Sequence, residues 1–189
     1  MNIKSEKNKL RKEVLEKRRA LEPGGQKEKD SSIFHKVLAL MKLYRPKRVF
    51  TYFSILGEPE TRTLIMFLMA HGYEVVIPKV RSVENGEMSL HLIRDFKSVE
   101  TGEFGIIEPK DSTEEVEADS VDIAIIPGVA FDKNLNRIGF GKGFFDRLLK
   151  KLDCEKIALA YDFQIVQNVP AEEHDEKVSC VVTPTKIHR

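Results

Sequence analysis

Cysteine is scarce, net charge is almost absent, and no long apolar run interrupts the chain. The two cysteines, Cys154 and Cys180, are too few for a metal cluster or for the disulfide framework of a small secreted domain, so a reducing cytoplasm is the expected setting. The 31 basic and 30 acidic residues nearly cancel. No global field therefore favours a nucleic acid or a membrane surface as partner. Nothing approaches the roughly 20 apolar residues of a membrane span, and the first residues lack the apolar core of a signal peptide. Internal repeats, low-complexity tracts and interdomain linkers are missing too. What remains reads as a soluble monomer of one domain, since 189 residues suffice for one well-buried core and are short for two.

Against that plain background one segment stands out, Arg137-Ile138-Gly139-Phe140-Gly141-Lys142-Gly143-Phe144-Phe145-Asp146. It follows the buried-strand pattern Val121 to Ile126 and leads into a helical one. Glycines at alternate positions allow close approach of backbone to an anion, a helix start offers N–H groups and a positive dipole end, and Arg137 and Lys142 add full charges. The segment reads as a phosphate cradle. Its spacing is not that of a P-loop, because Gly139 lies too near Lys142 and Gly143 replaces the hydroxyl residue. Nor is it a dinucleotide fingerprint, which needs glycine where Phe144 stands. On the residues alone, a glycine-rich turn with a solvated lysine remains an alternative.

The rest of the chain alternates helices and strands. Residues 2–21 hold Leu10, Val14 and Leu21 at helical spacing among eight basic and three acidic residues, with Lys7 and Arg11 on one face. Leu21 to Gly25 is expected to break this helix. Asp30 or Ser31 then caps a second one carrying Ile33, Val37, Leu38 and Met41, which stops before Pro46. Val49–Phe53 and Val75–Val80 read as strands flanking a helix from Thr61 to His71 that Gly72 closes. Asn85-Gly86 marks a hairpin expected at one edge of the sheet, with Leu90 and Leu92 facing in and Ser89 and His91 facing out. Asp111 to Asp119, with five carboxylates and no basic residue, is expected to be a solvated loop or an outer helix. After the cradle come a helix through Leu148, Leu149 and Leu152 and strands near Ile157–Tyr161 and Ser179–Val182. The pattern predicts an α/β three-layer sandwich with a largely parallel sheet, helices on both faces, an edge hairpin, and ligands at the carboxyl ends of the strands. Among the histidines, His71, His91 and His174 lack metal-ligand spacing, and no Ser-His-Asp or Cys-His arrangement is defensible.

Five islands in order closely resemble the 5-formyltetrahydrofolate cyclo-ligase family over nearly the whole chain. They are Lys7 with Leu10-Arg11; Phe53-Ser54 with Glu58-Pro59-Glu60-Thr61; Gly105 with Glu108-Pro109; Ile126 to Asp132 with Asn136 to Asp146; and Pro170 with Glu173-His174-Asp175 and Lys177-Val178. The resemblance implies an ATP- and Mg²⁺-dependent closure of 5-formyltetrahydrofolate to 5,10-methenyltetrahydrofolate. By the same resemblance, Lys142 and Arg137 are the catalytic cations. Lys7, Arg11, Arg137, Lys142, Gly139, Gly141, Gly143, Phe144 and Phe145 form the nucleotide side, Phe53, Glu58 and Phe144 the folate side, and Asp146 and Asp175 hold Mg²⁺. The chain departs from the family pattern at Phe144 and Phe145, where many relatives have tyrosines, at Phe140, where Tyr or Arg is frequent, and at Ser179, where aspartate is common.

Two other classes fit parts of the sequence. One is an ATP- or phosphate-binding α/β enzyme acting on a sugar phosphate or acyl group, since fold does not fix function. The other is a non-catalytic binder of folate, or of RNA through the basic first helix. Phe53 and the Glu58 to Thr61 segment argue against the first, which has no need of an aromatic wall there.

Overall fold

The structure, a computed structural model, describes residues 2–102, 105–172 and 175–189. Helix α1 (Ile3–Arg19) starts where Asn2 Oδ1 accepts from the Lys4 amide at 3.0 Å, an N-cap. Helix α2 (Pro23–Tyr44), strand β1 (Arg48–Phe50) and helix α3 (Arg62–Ala70) follow, then the hairpin β2 (Glu74–Ser82) and β3 (Glu87–Ile93). A small hairpin, β4 (Val99–Thr101) and β5 (Ile107–Pro109), precedes β6 (Glu114–Val116) and β7 (Ile123–Ile126). The last third holds the ribbon β8 (Ala130–Phe131) and β9 (Arg137–Ile138), helix α4 (Phe144–Leu149), and strands β10 (Glu155–Leu159), β11 (Cys180–Val182) and β12 (Ile187–His188).

Eight strands form one sheet in the order β12-β11-β10-β7-β1-β2-β3-β6. The neighbours from β11 to β2 run parallel, and the strands outside them are antiparallel. Strand alternation divides the core in two. Val49, Val75, Ile77, Ile123, Ile125 and Ile157 pack with Val37 and Met41 of α2 and Leu64, Ile65 and Leu68 of α3. Phe50, Val76, Ala124, Ile126, Ala158 and Val181 pack with Leu148 and Leu149 of α4. This is the expected three-layer α/β arrangement, covered by helices on both faces. Helix α1 lies apart from both layers: its Val14 joins Val129, Ala130, Ile138 and Val169 around the β8–β9 ribbon. Among the described residues no helix is long and apolar enough to cross a membrane. Both thiols are free, and burial pushes Cys154 and Cys180 up to about 11.

Several local expectations are corrected. The first helix ends as expected, but the break is shorter than 21–25: Pro23-Gly24-Gly25 already opens α2, because proline at the first helical position gives up no needed N–H, and Asp30 lies inside the helix. The acidic stretch supplies β6, the edge strand, so the Asn85-Gly86 hairpin lies one strand in from the edge. His91 is 1% exposed and not solvent-facing. Thr113 covers it, with His91 Nδ1 3.0 Å from Thr113 Oγ1 and Nε2 2.9 Å from Ser89 Oγ. The stretch is solvated as expected but forms a strand, and two of its exposed carboxylates pair with cations of β2, Asp111 with Lys79 at 2.5 Å and Glu115 with Arg81 at 2.6 Å. The cradle does not follow β7 directly, since the β8–β9 ribbon intervenes and places Arg137 on a strand. Helix α4 ends at Leu149, short of Leu152. Glu173 and His174 lie outside the described residues.

Asp132, 1% exposed, fixes the ribbon. Its carboxylate accepts from the amides of Asn134 (2.9 Å), Asn136 (3.1 Å) and Val169 (3.0 Å) and from Asn136 Nδ2 (2.9 Å). Burial raises its pKa, but these bonds outweigh that and hold it below the ordinary value. Asp132→Ala strands a buried Val169 N–H and is expected to cost about 3 kcal/mol in urea unfolding at neutral pH. A group whose folded pKa is depressed loses its contribution in acid, so the gap should close as pH falls from 3.8 through the lowered folded value. A loss below about 0.5 kcal/mol at neutral pH would contradict this role.

Candidate active site

The carboxyl ends of β1 and β7 open into a cleft of about 660 Å³. One wall is the segment after β1. Tyr52 and Phe53 leave the strand, and Ser54 and Thr61 close the loop reciprocally: the Ser54 amide donates to Thr61 Oγ1 at 2.9 Å and the Thr61 amide to Ser54 Oγ at 3.3 Å. The Thr61 hydroxyl donates to the Tyr52 carbonyl at 2.5 Å. Inside the loop the chain turns through Leu56 (φ 51°) and Gly57 (φ 72°). That turn folds Glu58 back, so that Oε2 accepts the Ile55 amide at 3.1 Å and the side chain is only 2% exposed. Phe53 is 6% exposed and meets Phe96 edge-on at 6.0 Å. All three predicted folate-side residues, Phe53, Glu58 and Phe144, line the cleft, and Glu58 is a buried acid. Burial raises its pKa to about 7, against the lowering effects of the Ile55 amide and Arg18.

Arg18 is the functional candidate that sequence reading missed. It lies on α1 with its side chain fully buried, donates from Nη2 to the Gly128 carbonyl at 2.7 Å, and holds Nη1 3.7 Å from Glu58 Oε1. Its spacing of seven from Arg11 puts it on the same helix face, which is the signal that could have found it.

The facing wall is the glycine segment. Gly141 (φ 98°) and Gly143 (φ 72°) take conformations that L side chains rarely adopt. Two arginines hold its carbonyls: Arg11 Nε donates to Gly139 O at 2.8 Å, and Arg147 Nη2 to Lys142 O at 2.8 Å. In a trans peptide the N–H opposes its C=O, so the amides of Phe140 and Gly143 turn away from those cations. Arg147 also reaches Gly86 O at 2.9 Å and ties the segment to the β2–β3 turn. Gly139, Gly141, Lys142, Gly143, Phe144, Phe145 and Asp146 all line the cleft, and Lys142 is exposed. Phe145 also packs in the core beside Phe50 at 6.3 Å, whereas the Phe144 ring lies 6.0 Å from the Arg147 guanidinium. A third side is formed by Gly105 to Glu108, the island at β5.

The remaining candidates pair with one another. Arg137, 4% exposed, lines the cleft but spends its charge on Asp146 Oδ1 and reaches toward the Pro127 carbonyl at 3.4 Å. Lys7 sits outside the lining and bonds Asp175 at 2.5 Å and Glu172 at 2.7 Å. Burial lowers its pKa, but these two carboxylates outweigh the effect and leave it raised. Arg11, lowered by burial, feels both Asp146 and Asp175. Among the described residues no three metal-capable side chains cluster. Of the two predicted Mg²⁺ carboxylates, Asp146 lines the cleft and pairs with Arg137, whereas Asp175 lies outside the lining and pairs with Lys7.

Comparison with known proteins bears on the family and the fold. The sequence pattern of the 5-formyltetrahydrofolate cyclo-ligase family matches residues 3–184. The 5-formyltetrahydrofolate cyclo-ligase of Escherichia coli is 30% identical over 178 residues, covering 92% of this chain and 98% of that one. The solution structure of Aquifex aeolicus 5,10-methenyltetrahydrofolate synthetase superposes with a TM-score of 0.87 at 34% identity, over 97% of this chain and 92% of that chain. The corresponding Mycoplasma pneumoniae protein gives 0.78 at 28%, over 94% and 98%.

Glu58 makes stability depend on pH in a stated direction. Its folded pKa of about 7 exceeds the ordinary 4.5, so the folded protein holds a proton that the unfolded chain has released. Stability is full in acid and falls as pH rises from 4.5 to about 7. At 1.36 kcal/mol per unit this is about 3 kcal/mol, a loss that Glu58→Gln is expected to escape. Urea unfolding of both proteins across that range checks it, and a constant difference between them would contradict it.

Proposed function

Because the chain belongs to the 5-formyltetrahydrofolate cyclo-ligase family, we propose that it closes 5-formyltetrahydrofolate to 5,10-methenyltetrahydrofolate. In this reading the formyl oxygen takes the γ-phosphoryl group of ATP with ADP as the leaving group, N10 attacks the formyl carbon and loses its proton, and phosphate departs with that oxygen. A formamide oxygen is a poor leaving group, which is why a phosphoryl donor is needed. The observation that carries the reading is a single cleft bounded on one side by Phe53 and Glu58 and on the other by the glycine segment with Lys142.

The chain's own residues supply positioning and charge. Phe53 offers an aromatic wall to the pterin, and Glu58 Oε1 offers an acceptor to its N–H groups. Lys142 and the amides of the glycine segment receive the transferring phosphate, with Lys7 and Arg11 behind them. Arg137 fixes one oxygen of Asp146 and so orients that carboxylate. Asp146 and Asp175 would hold Mg²⁺, which when bound neutralises charge between the phosphates. Phe144 lines the cleft without a hydroxyl, so any contact it makes with the folate is by packing alone.

The direct test mixes the protein with 5-formyltetrahydrofolate, ATP and Mg²⁺ and follows the near-ultraviolet absorption of the methenyl product. The expected rise requires all three additions, and its absence with a folded protein overturns the proposal. Lys142→Ala should lower kcat/KM by about 2–4 kcal/mol of transition-state stabilisation while leaving the melting curve unchanged. Wild-type turnover in that variant would remove Lys142 from the phosphate site.

A further inference from the structure

Arg18 and Glu58 are buried together yet poorly paired. Their separation of 3.7 Å is too long for a hydrogen bond, so Arg18 acts on Glu58 by its field without occupying Oε1. Among the described residues, Arg18 Nε and Nη1, Glu58 Oε1 and the Tyr52 hydroxyl are buried without a hydrogen-bond partner in the protein. Such groups are costly to bury unless a ligand completes them. Arg18 itself is immobilised. The Gly128 carbonyl holds Nη2, and its Cγ lies 3.3 Å from where a Cβ on Gly57 would stand, so the loop carrying Glu58 closes directly over the arginine stem.

We propose that Arg18 is a positioning residue for folate capture: its fixed charge favours the carboxylate form of Glu58 and leaves Oε1 available to the pterin N–H donors, so affinity follows the ionisation of Glu58. This rests on the folate reading of the cleft. The groups facing the pair are Tyr52 beyond β1, and further out Tyr161 beyond β10 and Asp30 of α2. Tyr52 stays a neutral hydroxyl because burial, Glu58 and other groups push its pKa well up. Across the cleft stand Glu108, Arg137, Lys142 and Asp146, with Arg137 matched to Asp146. Arg18 is thus the cation that acts on Glu58 at close range. Burial raises the Glu58 pKa to about 7, which puts the transition inside an accessible pH range.

The test is the dissociation constant for 5-formyltetrahydrofolate, measured by calorimetry without ATP from pH 6 to 9, with ATP binding as control. Wild type should bind about tenfold more weakly at pH 6 than at pH 8, with a midpoint near neutrality. Glu58→Gln should bind weakly with no such transition. Arg18→Gln, which keeps a donor for Gly128 but no charge, should move the midpoint up by at least about one unit. Arg18→Lys, which keeps the charge, should restore it to the wild-type position. ATP affinity should be unchanged throughout. A wild-type profile flat from pH 6 to 9, or Arg18→Gln with the wild-type midpoint, overturns the inference while leaving the folate reading intact. If Arg18→Gln does not fold, a folded Arg18→Lys with a midpoint displaced by a unit or more overturns it equally. Wild-type protein that binds no 5-formyltetrahydrofolate at any pH instead refutes the folate reading itself.

Discussion

The inward face of α1 is the constraint on which the cleft depends. Lys7, Arg11, Val14 and Arg18 recur at spacings that place them on one side of a helix, and that side faces protein instead of water. Lys7 grips Asp175 and Glu172, Arg11 holds the Gly139 carbonyl, Val14 packs on the ribbon, and Arg18 holds the Gly128 carbonyl beside Glu58. One helix thereby holds both ends of the 128–139 segment at the cleft, packs on the ribbon between them, and outside the lining pairs with Glu172 and Asp175. Long basic side chains suit this task, because their stems pack on apolar surface while their heads satisfy carbonyls and carboxylates.

Left-handed backbone and buried polar groups without a protein partner meet at the cleft. Leu56 at φ 51° and the glycines at 57, 141 and 143 sit in left-handed conformations on its two walls. Removing one partner of a buried charge pair such as Arg18 and Glu58 costs about 3–5 kcal/mol, yet a well-packed apolar pair in its place is often no less stable. Stability alone therefore does not explain the pair. Beneath it, the sheet is a conventional apolar core in which each strand sends alternate residues to α2 and α3 or to α4.

Periodicity made the layers legible, because β-branched runs such as Val121 to Ile126 and the stripe of α2 are local signals. The cleft's two walls were legible for different reasons: the glycine segment carries its chemistry in its own spacing, whereas Phe53 and Glu58 were indicated by the family resemblance. What stayed hidden depends on distant partners. The 111–119 stretch was expected as a loop or outer helix because the strand it pairs with, β3, lies earlier in the chain and leaves no local signal. His91 looked outward because alternation cannot reveal that Thr113 crosses above it. Arg18 looked like one more exposed charge on a basic helix, and only the return of the Gly57-Glu58 turn encloses it. Ser179 looked like a loss against aspartate, but its hydroxyl still accepts the Lys156 amide at 3.0 Å where β10 begins.

The central claim is that both ligands share one cleft organised by α1. The most direct measurement is a crystal structure with 5-formyltetrahydrofolate, Mg²⁺ and a non-hydrolysable ATP analogue. The pterin should lie on Phe53 with its N–H edge on Glu58, and the phosphates should lie along Gly139 to Gly143 with Lys142. A nucleotide bound elsewhere, for instance in the basic recess of Lys42, Arg45 and His71 at the opposite end of the sheet, or a pterin out of reach of Glu58, would contradict it.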